Sequence, residues 1–195
     1  MATTTLSIRP TDALIIVDPQ NDFLPGGSLA VAQGNRIFAP INALAAHFAH
    51  VFVTRDWHPR NHLFFSDYGG PWPYHCLQNT AGAEFSPLLG ASAFGTIVSK
   101  GVDPQTDGYS AFAGTDLAAR LRVAGIARIV VCGLATDYCV KATVCDARDL
   151  GFEVIVLEDA IAAVGIAPDD ESKALAAMRA AGATLVSSSA LRPTP

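Results

Sequence analysis

Short apolar runs alternate with helical patterns along most of the chain. Six runs of strand length predict β-strands at residues 13–17, 51–54, 96–99, 128–132, 153–157 and 184–186. None of them alternates with polar residues, which is typical of strands covered on both faces of a sheet. Helical patterns lie between them at residues 36–48, 116–124, 137–150 and 169–180. This order predicts an α/β fold, a three-layer αβα sandwich around a central, mainly parallel six-stranded sheet.

Local residue choices mark the predicted helix boundaries. Residues suited to a helix start precede three of the helices, at Thr115, Thr136 and Pro168. Glycines follow the same helices, at Gly125, Gly151 and Gly182. A glycine there lets the backbone leave the helix in the left-handed conformation. No internal repeat, linker or low-complexity tract is evident, so the sequence predicts a single domain over residues 1–195.

Composition narrows the class of protein. Half of the 195 residues are hydrophobic and 16% are charged, which favours a globular chain over a disordered one. The net charge of −5 comes without a Lys/Arg cluster, so neither nucleic acid nor a membrane is an expected partner. The sequence shows no signal-peptide or membrane-spanning pattern, and we expect a cytoplasmic protein. Four cysteines match no zinc-ribbon spacing and are expected to be free thiols: Cys76, Cys132, Cys139 and Cys145.

Three residues of complementary chemistry lie at the ends of predicted strands. Asp18 follows the first strand, Lys100 follows the third, and Cys139 opens the helix after the fourth. Ligands bind beyond the carboxyl ends of the strands in an open parallel sheet, so the three side chains can converge there. A thiol, a carboxylate and an ammonium together supply a nucleophile, its base and a charge partner.

Cys139 is the predicted nucleophile. A helix N-terminus and a nearby cation both lower the pKa of a cysteine, and this position is expected to have both. Asp18 could accept the thiol proton and later deliver it to a leaving amine, while backbone N–H groups at the helix start form an oxyanion hole. Each residue also has a plain structural interpretation, as a turn-forming Asp, a buried small Cys and a solvated Lys.

A long segment at residues 56–94, rich in Gly, Pro, His and aromatic residues, carries a candidate metal site. Asp56 and His58 share one face of an extended stretch, and His62 and His75 follow. A carboxylate with two or three imidazoles suits Zn, Fe or Mn and leaves positions open for water or substrate. Alternatively, these histidines are surface or hydrogen-bonded loop residues. Aromatic residues that could stack on a flat ligand, or simply fill the core, are Phe23, Trp57, Trp72 and Tyr109.

Five segments carry motifs that point to a family. They are LIIVDPQNDFLPGGSL at 14–29, TRDWHPRNH at 54–62, GGPWPYHCLQNTAGAEF at 69–85, SKGVDPQTDGYSAF at 99–112 and VCGLATDYCVKATVCDA at 131–147. Together they resemble the nicotinamidase/pyrazinamidase branch of the isochorismatase-like hydrolases, over nearly the whole chain. The resemblance implies an isochorismatase-like fold and the hydrolysis of nicotinamide to nicotinic acid and ammonia through a cysteine thioester, with pyrazinamide as a further substrate.

The same resemblance implies roles for individual residues. The implied catalytic triad is Asp18, Lys100 and Cys139. The implied ligands of one divalent metal are Asp56, His58 and His75, with His62 as a further candidate. A cis peptide between Leu134 and Ala135 would aim the Ala135 N–H at the oxyanion beside that of Cys139. The implied substrate-binding residues are Phe23, Trp72, Tyr109, Leu134 and Ala135. A homo-oligomer is compatible with this family.

Three other functions compete with this interpretation. Isochorismatases hydrolyse a vinyl ether and lack the nucleophilic cysteine, so Cys139 disfavours them. N-carbamoyl amide hydrolases keep a cysteine but lack the metal motif, so Asp56, His58 and His75 disfavour them. A non-catalytic ligand-binding protein stays open because fold alone never establishes activity. An intact triad makes this last alternative the weakest.

Overall fold

The computed structural model describes residues 5–193 of the chain. Its strands are β1 (Leu6–Ile8), β2 (Asp12–Val17), β3 (His50–Asp56), β4 (Thr96–Lys100), β5 (Arg128–Leu134), β6 (Glu153–Ala162), β7 (Thr184–Val186) and β8 (Leu191–Pro193). Its α-helices are α1 (Phe38–Ala45), α2 (Leu117–Val123), α3 (Lys141–Asp149) and α4 (Asp170–Ala180). No helix within this described part is long and apolar enough to cross a membrane.

Six strands form one sheet in the order β4-β3-β2-β5-β6-β7, and every neighbouring pair is parallel. The predicted six-stranded parallel sheet is therefore confirmed. From β2 the chain first builds the sheet outward through β3 and β4, and then returns to place β5 on the other side of β2. This reversal creates a crevice at the carboxyl ends of β2 and β5, the position where open α/β sheets bind ligands.

The sheet has a hydrophobic core on each face. Along β2, Leu14 and Ile16 join the core that includes α1, while Ile15 and Val17 join the core that includes α2, α3 and α4. Successive strand residues point to opposite faces, so an apolar run with no polar position is what two covered faces require. The three-layer αβα arrangement follows, as predicted.

Several strands run further than their sequence patterns predicted. The prediction ended β3 at residue 54, β4 at 99 and β5 at 132, but they end at Asp56, Lys100 and Leu134. The residue directly after each predicted end is polar or glycine, namely Arg55, Lys100 and Gly133, so the apolar run stopped there. Strands β1 and β8 were not predicted, and they pair in parallel as a separate two-stranded sheet.

Two predicted helices also begin differently. The pattern at 36–48 yields a 3-10 turn, Gly34–Ile37, before α1, so that Pro40 lies in the first turn of the α-helix, where a missing N–H is tolerated. The pattern at 137–150 begins with a π-helical turn, Thr136–Val140, before α3. Thr136 is not a capping residue, because its buried hydroxyl has no hydrogen-bond partner within residues 5–193. The three terminal glycines have positive φ angles, as predicted: Gly125, Gly151 and Gly182.

Candidate active site

Three neighbouring strands bring the charged residues of the site together. Asp18 directly follows β2, Asp56 ends β3, and Lys100 ends β4, where it is the register partner of Asp56. Asp18 has a φ angle of 47°, an uncommon left-handed conformation for a residue other than glycine, at the point where the chain leaves the sheet. The expected convergence at the carboxyl edge is therefore present.

The ammonium of Lys100 is the centre of the cluster. Its Nζ lies 2.7 Å from Asp18 Oδ2, 2.5 Å from Asp56 Oδ1 and 3.4 Å from Cys139 Sγ, and it donates to the Gly108 carbonyl at 2.9 Å. Burial alone would lower the pKa of Lys100, but the two carboxylates raise it well above its usual value. The side chain therefore stays charged and contacts both the acid and the thiol.

Asp18 is held by Thr54 on the neighbouring strand. The Thr54 hydroxyl donates to Asp18 Oδ1 at 2.6 Å and accepts from the Asp18 N–H at 3.1 Å. Burial raises the pKa of Asp18 to about 6; Lys100 opposes this shift and Asp56 adds to it. Near neutral pH the carboxylate is ionised and yet basic enough to accept a proton, which suits a general base.

The thiol of Cys139 faces the two carboxylates. The Cys139 Sγ and the carboxylate oxygens of Asp18 and Asp56 all lie within 4.8 Å of one another. The prediction of a lowered thiol pKa is wrong. Burial raises the pKa of Cys139 well above its usual value, Lys100 counteracts this in part, and both carboxylates raise it further. The resting group is a thiol, so attack requires a base to remove its proton.

The backbone beside Cys139 has the predicted special geometry. The peptide bond between Leu134 and Ala135 is cis. The Ala135 carbonyl accepts hydrogen bonds from the Tyr138 and Val140 N–H groups, at 3.1 and 3.0 Å, which ties the π-helical turn to the end of β5. Ala135 lines the cavity next to Cys139. Leu134 does not, since its side chain is fully buried in the core on the α1 face.

Asp56, His58 and His75 form a buried cluster whose potential ligand atoms lie within 4.8 Å of one another. His58 Nδ1 donates to the Gly101 carbonyl at 3.0 Å and His75 Nδ1 donates to the Pro73 carbonyl at 2.8 Å, because a carbonyl can only accept. In the neutral form of each ring, Nε2 then carries the lone pair, and it lies 3.4 Å (His58) and 4.0 Å (His75) from Asp56 Oδ2. Two oriented imidazoles and a carboxylate fit a divalent metal.

His62 has the opposite tautomer. Its Nδ1 accepts a hydrogen bond from the Phe64 N–H at 3.3 Å, so in the neutral ring the proton is on Nε2. Burial, together with the nearby His58, lowers the pKa of His62 to about 4, so the ring is neutral near pH 7. The buried Nε2 has no hydrogen-bond partner in the described part of the chain. In this tautomer Nε2 is a donor and presents no lone pair to a metal.

A narrow cavity opens beside the thiol and the metal cluster. Its lining residues are Phe23, Leu29, Asp56, Trp72, His75, Tyr109, Ala135, Tyr138, Cys139 and Val164. Over this space the Trp72 indole N–H donates to the Tyr109 hydroxyl at 2.8 Å, and the Trp72 and Tyr138 ring centroids lie 4.8 Å apart. The aromatic residues of this lining suit the binding of a flat ring.

The cavity includes residues that the sequence did not single out, namely Leu29, Tyr138 and Val164. Tyr138 precedes Cys139 directly, and that adjacency was the available signal. Leu29 and Val164 lie in irregular segments distant in sequence, where no pattern marks them. Trp57 was a candidate ring for stacking on a ligand but does not line this cavity; the Arg55 guanidinium lies 3.7 Å from its ring centroid.

A parallel sheet with a thiol, a carboxylate and an ammonium at its carboxyl edge defines the class of α/β cysteine hydrolases. A model of the Isochorismatase domain matches residues 12–190. The chain therefore belongs to the isochorismatase family.

The chain is similar to several characterised members along most of its length. The nicotinamidase/pyrazinamidase of Mycobacterium tuberculosis is 43% identical over 188 residues, covering 91% of this chain and 99% of that protein. The structure of the pyrazinamidase of Pyrococcus horikoshii in complex with zinc is 46% identical with a TM-score of 0.84, over 91% of this chain and 99% of that one. PnC1 from L. infantum in complex with nicotinate is 43% identical with a TM-score of 0.91, over 96% and 98%.

Proposed function

We propose that the chain is a nicotinamidase, which hydrolyses nicotinamide to nicotinic acid and ammonia. The observation that carries this proposal is the position of Lys100, whose Nζ contacts Asp18, Asp56 and Cys139. Through these contacts a nucleophile and its base lie beside a metal-ligand cluster, at the end of a cavity lined by aromatic residues. The nicotinamidase and pyrazinamidase relatives support this substrate class, and pyrazinamide is a second expected substrate.

The cavity binds the flat ring of the substrate. Phe23 and Trp72 provide aromatic surfaces, while Tyr109 receives the Trp72 hydrogen bond and fixes that ring in place. Asp56, His58 and His75 would hold one divalent ion of Zn, Fe or Mn. When bound, such an ion would supply a Lewis acid for the pyridine nitrogen of the substrate. The aromatic walls of the cavity direct the carboxamide towards Cys139.

In the acylation half-reaction, Cys139 Sγ attacks the carboxamide carbon while Asp18 accepts the thiol proton. The Ala135 and Cys139 N–H groups stabilise the tetrahedral oxyanion. When this intermediate collapses, the C–N bond breaks and Asp18 donates its proton to the leaving nitrogen, which departs as ammonia. Lys100 stays charged throughout and keeps the two carboxylates in place beside the thiol.

In the deacylation half-reaction, water attacks the thioester carbon and Asp18 accepts its proton. The same two N–H groups bind the second oxyanion. The C–S bond then breaks, the sulfur recovers a proton from Asp18, and nicotinic acid leaves the cavity. Asp18 therefore acts as base and acid in each half-reaction, which its pKa of about 6 permits near neutral pH.

The direct test is ammonia release from nicotinamide, compared with turnover of isochorismate and of an N-carbamoyl amino acid. We expect nicotinamide to be hydrolysed with the highest kcat/KM, and Cys139→Ala to serve as the inactive control. Preferred turnover of the N-carbamoyl compound would assign the chain to the competing amidases. No turnover of any of the three by metal-loaded protein would contradict the proposal.

Further properties belong to the same proposal. We propose one metal ion per chain, which elemental analysis of the purified protein would detect. A single domain over residues 1–195 and a cytoplasmic location remain predictions of the sequence.

A further inference from the structure

Gln20 lies two residues after Asp18 and is fully buried, yet it does not line the cavity. Its side-chain amide contacts both backbone polar groups of Asp56. Oε1 accepts from the Asp56 N–H at 2.8 Å, and Nε2 donates to the Asp56 carbonyl at 2.8 Å. Nε2 also donates to the Ala83 carbonyl at 2.8 Å. Both amide hydrogens of Gln20 and its oxygen are thus engaged with the backbone.

These contacts take the place of strand pairing beside Asp56, where β2 no longer runs next to β3. The pairing of β2 with β3 extends to Ile16 opposite Val53, whereas β3 continues to Asp56. On its other side Asp56 is still paired with Lys100 of β4. If β2 continued beside β3, its backbone would bind the N–H and the carbonyl of Asp56. The Gln20 amide supplies this acceptor and donor instead. The end of β3 is therefore held on both sides.

Gln20 is itself fixed by the backbone around it. Its N–H donates to the Asp18 carbonyl at 2.8 Å, and it forms an antiparallel bridge with Phe85. The Asn21 N–H donates to the Glu84 carbonyl at 3.0 Å. The amide is therefore presented from a rigid segment, and its position is coupled to that of Asp18.

Strand β3 and the segment that follows β2 each position an acidic residue of the other. Thr54 of β3 binds the carboxylate of Asp18, and Gln20 from the segment after Asp18 binds the backbone of Asp56. The distance between the two carboxylates is what allows one ammonium, that of Lys100, to contact both. A small displacement of Asp56 would disturb this contact and the metal-ligand cluster together.

We infer that Gln20 is a positioning residue for the metal site. It holds Asp56 in the orientation that meets Lys100 through one carboxylate oxygen and His58 and His75 through the other. This inference rests on the proposed function only in assigning a metal to Asp56. Gln20 does not line the cavity, and its side-chain amide reaches Asp56 through the backbone N–H and carbonyl, so it acts on the metal site through that backbone.

The test measures zinc affinity rather than turnover. Metal-free wild-type protein and Gln20→Met are titrated with Zn²⁺ in competition with a chromogenic zinc chelator. Methionine keeps the side-chain length but removes all three hydrogen bonds, and we expect a Kd about 10–100-fold weaker, the usual effect of losing a residue that orients a ligand. Gln20→Glu retains the acceptor for the Asp56 N–H but faces two carbonyls with an oxygen, so it should also bind zinc more weakly.

Asn42 provides a matched control. Its amide also binds two backbone groups, donating to the Leu88 carbonyl at 2.9 Å and accepting from the Gly90 N–H at 2.8 Å, in a segment that contributes nothing to the cavity. Asn42→Leu should lower the Tm and leave the Kd for zinc unchanged. A wild-type Kd in folded Gln20→Met or Gln20→Glu, or an equal loss in Asn42→Leu, would overturn the inference. Wild-type protein that binds no zinc and releases no ammonia would instead refute the proposed function.

Discussion

The Lys100 ammonium lies 2.5 Å from the carboxylate of Asp56, a residue that also belongs to the metal-ligand cluster. The same ammonium lies 2.7 Å from Asp18, the proposed base. One buried cation therefore neutralises two carboxylates with different tasks. Its loss should affect catalysis and the stability of the metal-free protein together.

We expect Lys100→Met to lower turnover by at least about 100-fold, since a preorganised charge at the reacting groups is lost. The variant also leaves two carboxylates buried without a cation, which costs about 3–5 kcal/mol of unfolding free energy in the metal-free protein. Zinc should raise the Tm of the variant more than that of the wild type, because the ion supplies positive charge at Asp56. Thermal unfolding with and without zinc measures both effects.

Lys173→Met is the control for this experiment. Lys173 pairs with Asp169 at 2.7 Å on the surface, and the lysine side chain is 69% exposed. An exposed ion pair is worth about 0–1 kcal/mol. The Tm and the turnover number of this variant should therefore be close to those of the wild type. Equal behaviour of the two lysine variants would contradict the central role of Lys100.

The pKa of Asp18 predicts the acid side of the pH profile. Burial raises this pKa to about 6, and the base works only when ionised, so kcat/KM should fall as the pH drops through about 6. Thr54→Val removes a hydrogen bond that favours the ionised form and should move the acid limb to higher pH. Thr143→Val removes a buried contact with the Ala111 N–H instead and should leave the limb in place. An unchanged limb in Thr54→Val would argue against Asp18 as the base.

Cys139→Ala should abolish turnover and leave zinc binding intact, because Asp56, His58 and His75 remain. Alanine variants of the other three cysteines should keep substantial turnover if they fold. These cysteines are Cys76, Cys132 and Cys145. Mass spectrometry of a rapidly quenched reaction should find the nicotinoyl adduct on the peptide that contains Cys139. An adduct on another cysteine, or near-normal rates in Cys139→Ala, would refute the assignment.

The tautomers of the histidines predict their different contributions to metal binding. His58 presents a free Nε2 lone pair, whereas the His62 Nε2 carries a proton because its Nδ1 accepts from Phe64. His58→Ala should therefore lose zinc almost completely, while His62→Ala should retain most of it in the same chelator titration. Equal zinc loss in the two variants would make His62 a ligand.

The sequence predicted those residues of the site that a local pattern marks. Asp18 and Lys100 could be found because each ends an apolar run, and parallel strands present their carboxyl ends at one edge. The pKa of Cys139 was predicted in the wrong direction because the helix N-terminus and the lysine are the only influences visible in the local sequence. Burial of the thiol and the Asp56 carboxylate, which belongs to a strand far away in the sequence, raise the pKa instead.

Other features depend on tertiary contacts that no local pattern encodes. The amide of Gln20 binds Asp56 at a point where β3 continues beyond its pairing with β2. This contact can be predicted only when the ends of both strands are known. Val164 reaches the cavity because the Asp137 carboxylate accepts from the N–H groups of Val164 and Gly165, both at 2.9 Å. The π-helical turn at Thr136–Val140 is likewise tied to the end of β5 by the hydrogen bonds of the Tyr138 and Val140 N–H groups to the Ala135 carbonyl.

At the opposite end of the sheet, Asp12 and Arg128 form a buried ion pair between the first residues of β2 and β5. Arg128 Nε donates to Asp12 Oδ1 at 2.9 Å, and its Nη2 donates to the Ser7 carbonyl at 2.6 Å. Arg128→Met leaves the Asp12 carboxylate buried without its cation, so unfolding free energy should fall by about 3–5 kcal/mol. Because the site lies at the other edge, kcat measured well below the Tm should not change.

Denaturant unfolding and steady-state kinetics on the same preparations test this separation. Arg120→Met is the control, since its pair with Asp116 at 2.7 Å is exposed to solvent and should contribute little to stability. The double variant Asp12→Leu/Arg128→Met should regain part of the lost stability, because it removes the uncompensated charge and leaves an apolar pair. A loss below about 1 kcal/mol in Arg128→Met, or a fall in kcat while the protein is folded, would contradict the view that this pair stabilises the sheet without serving the site.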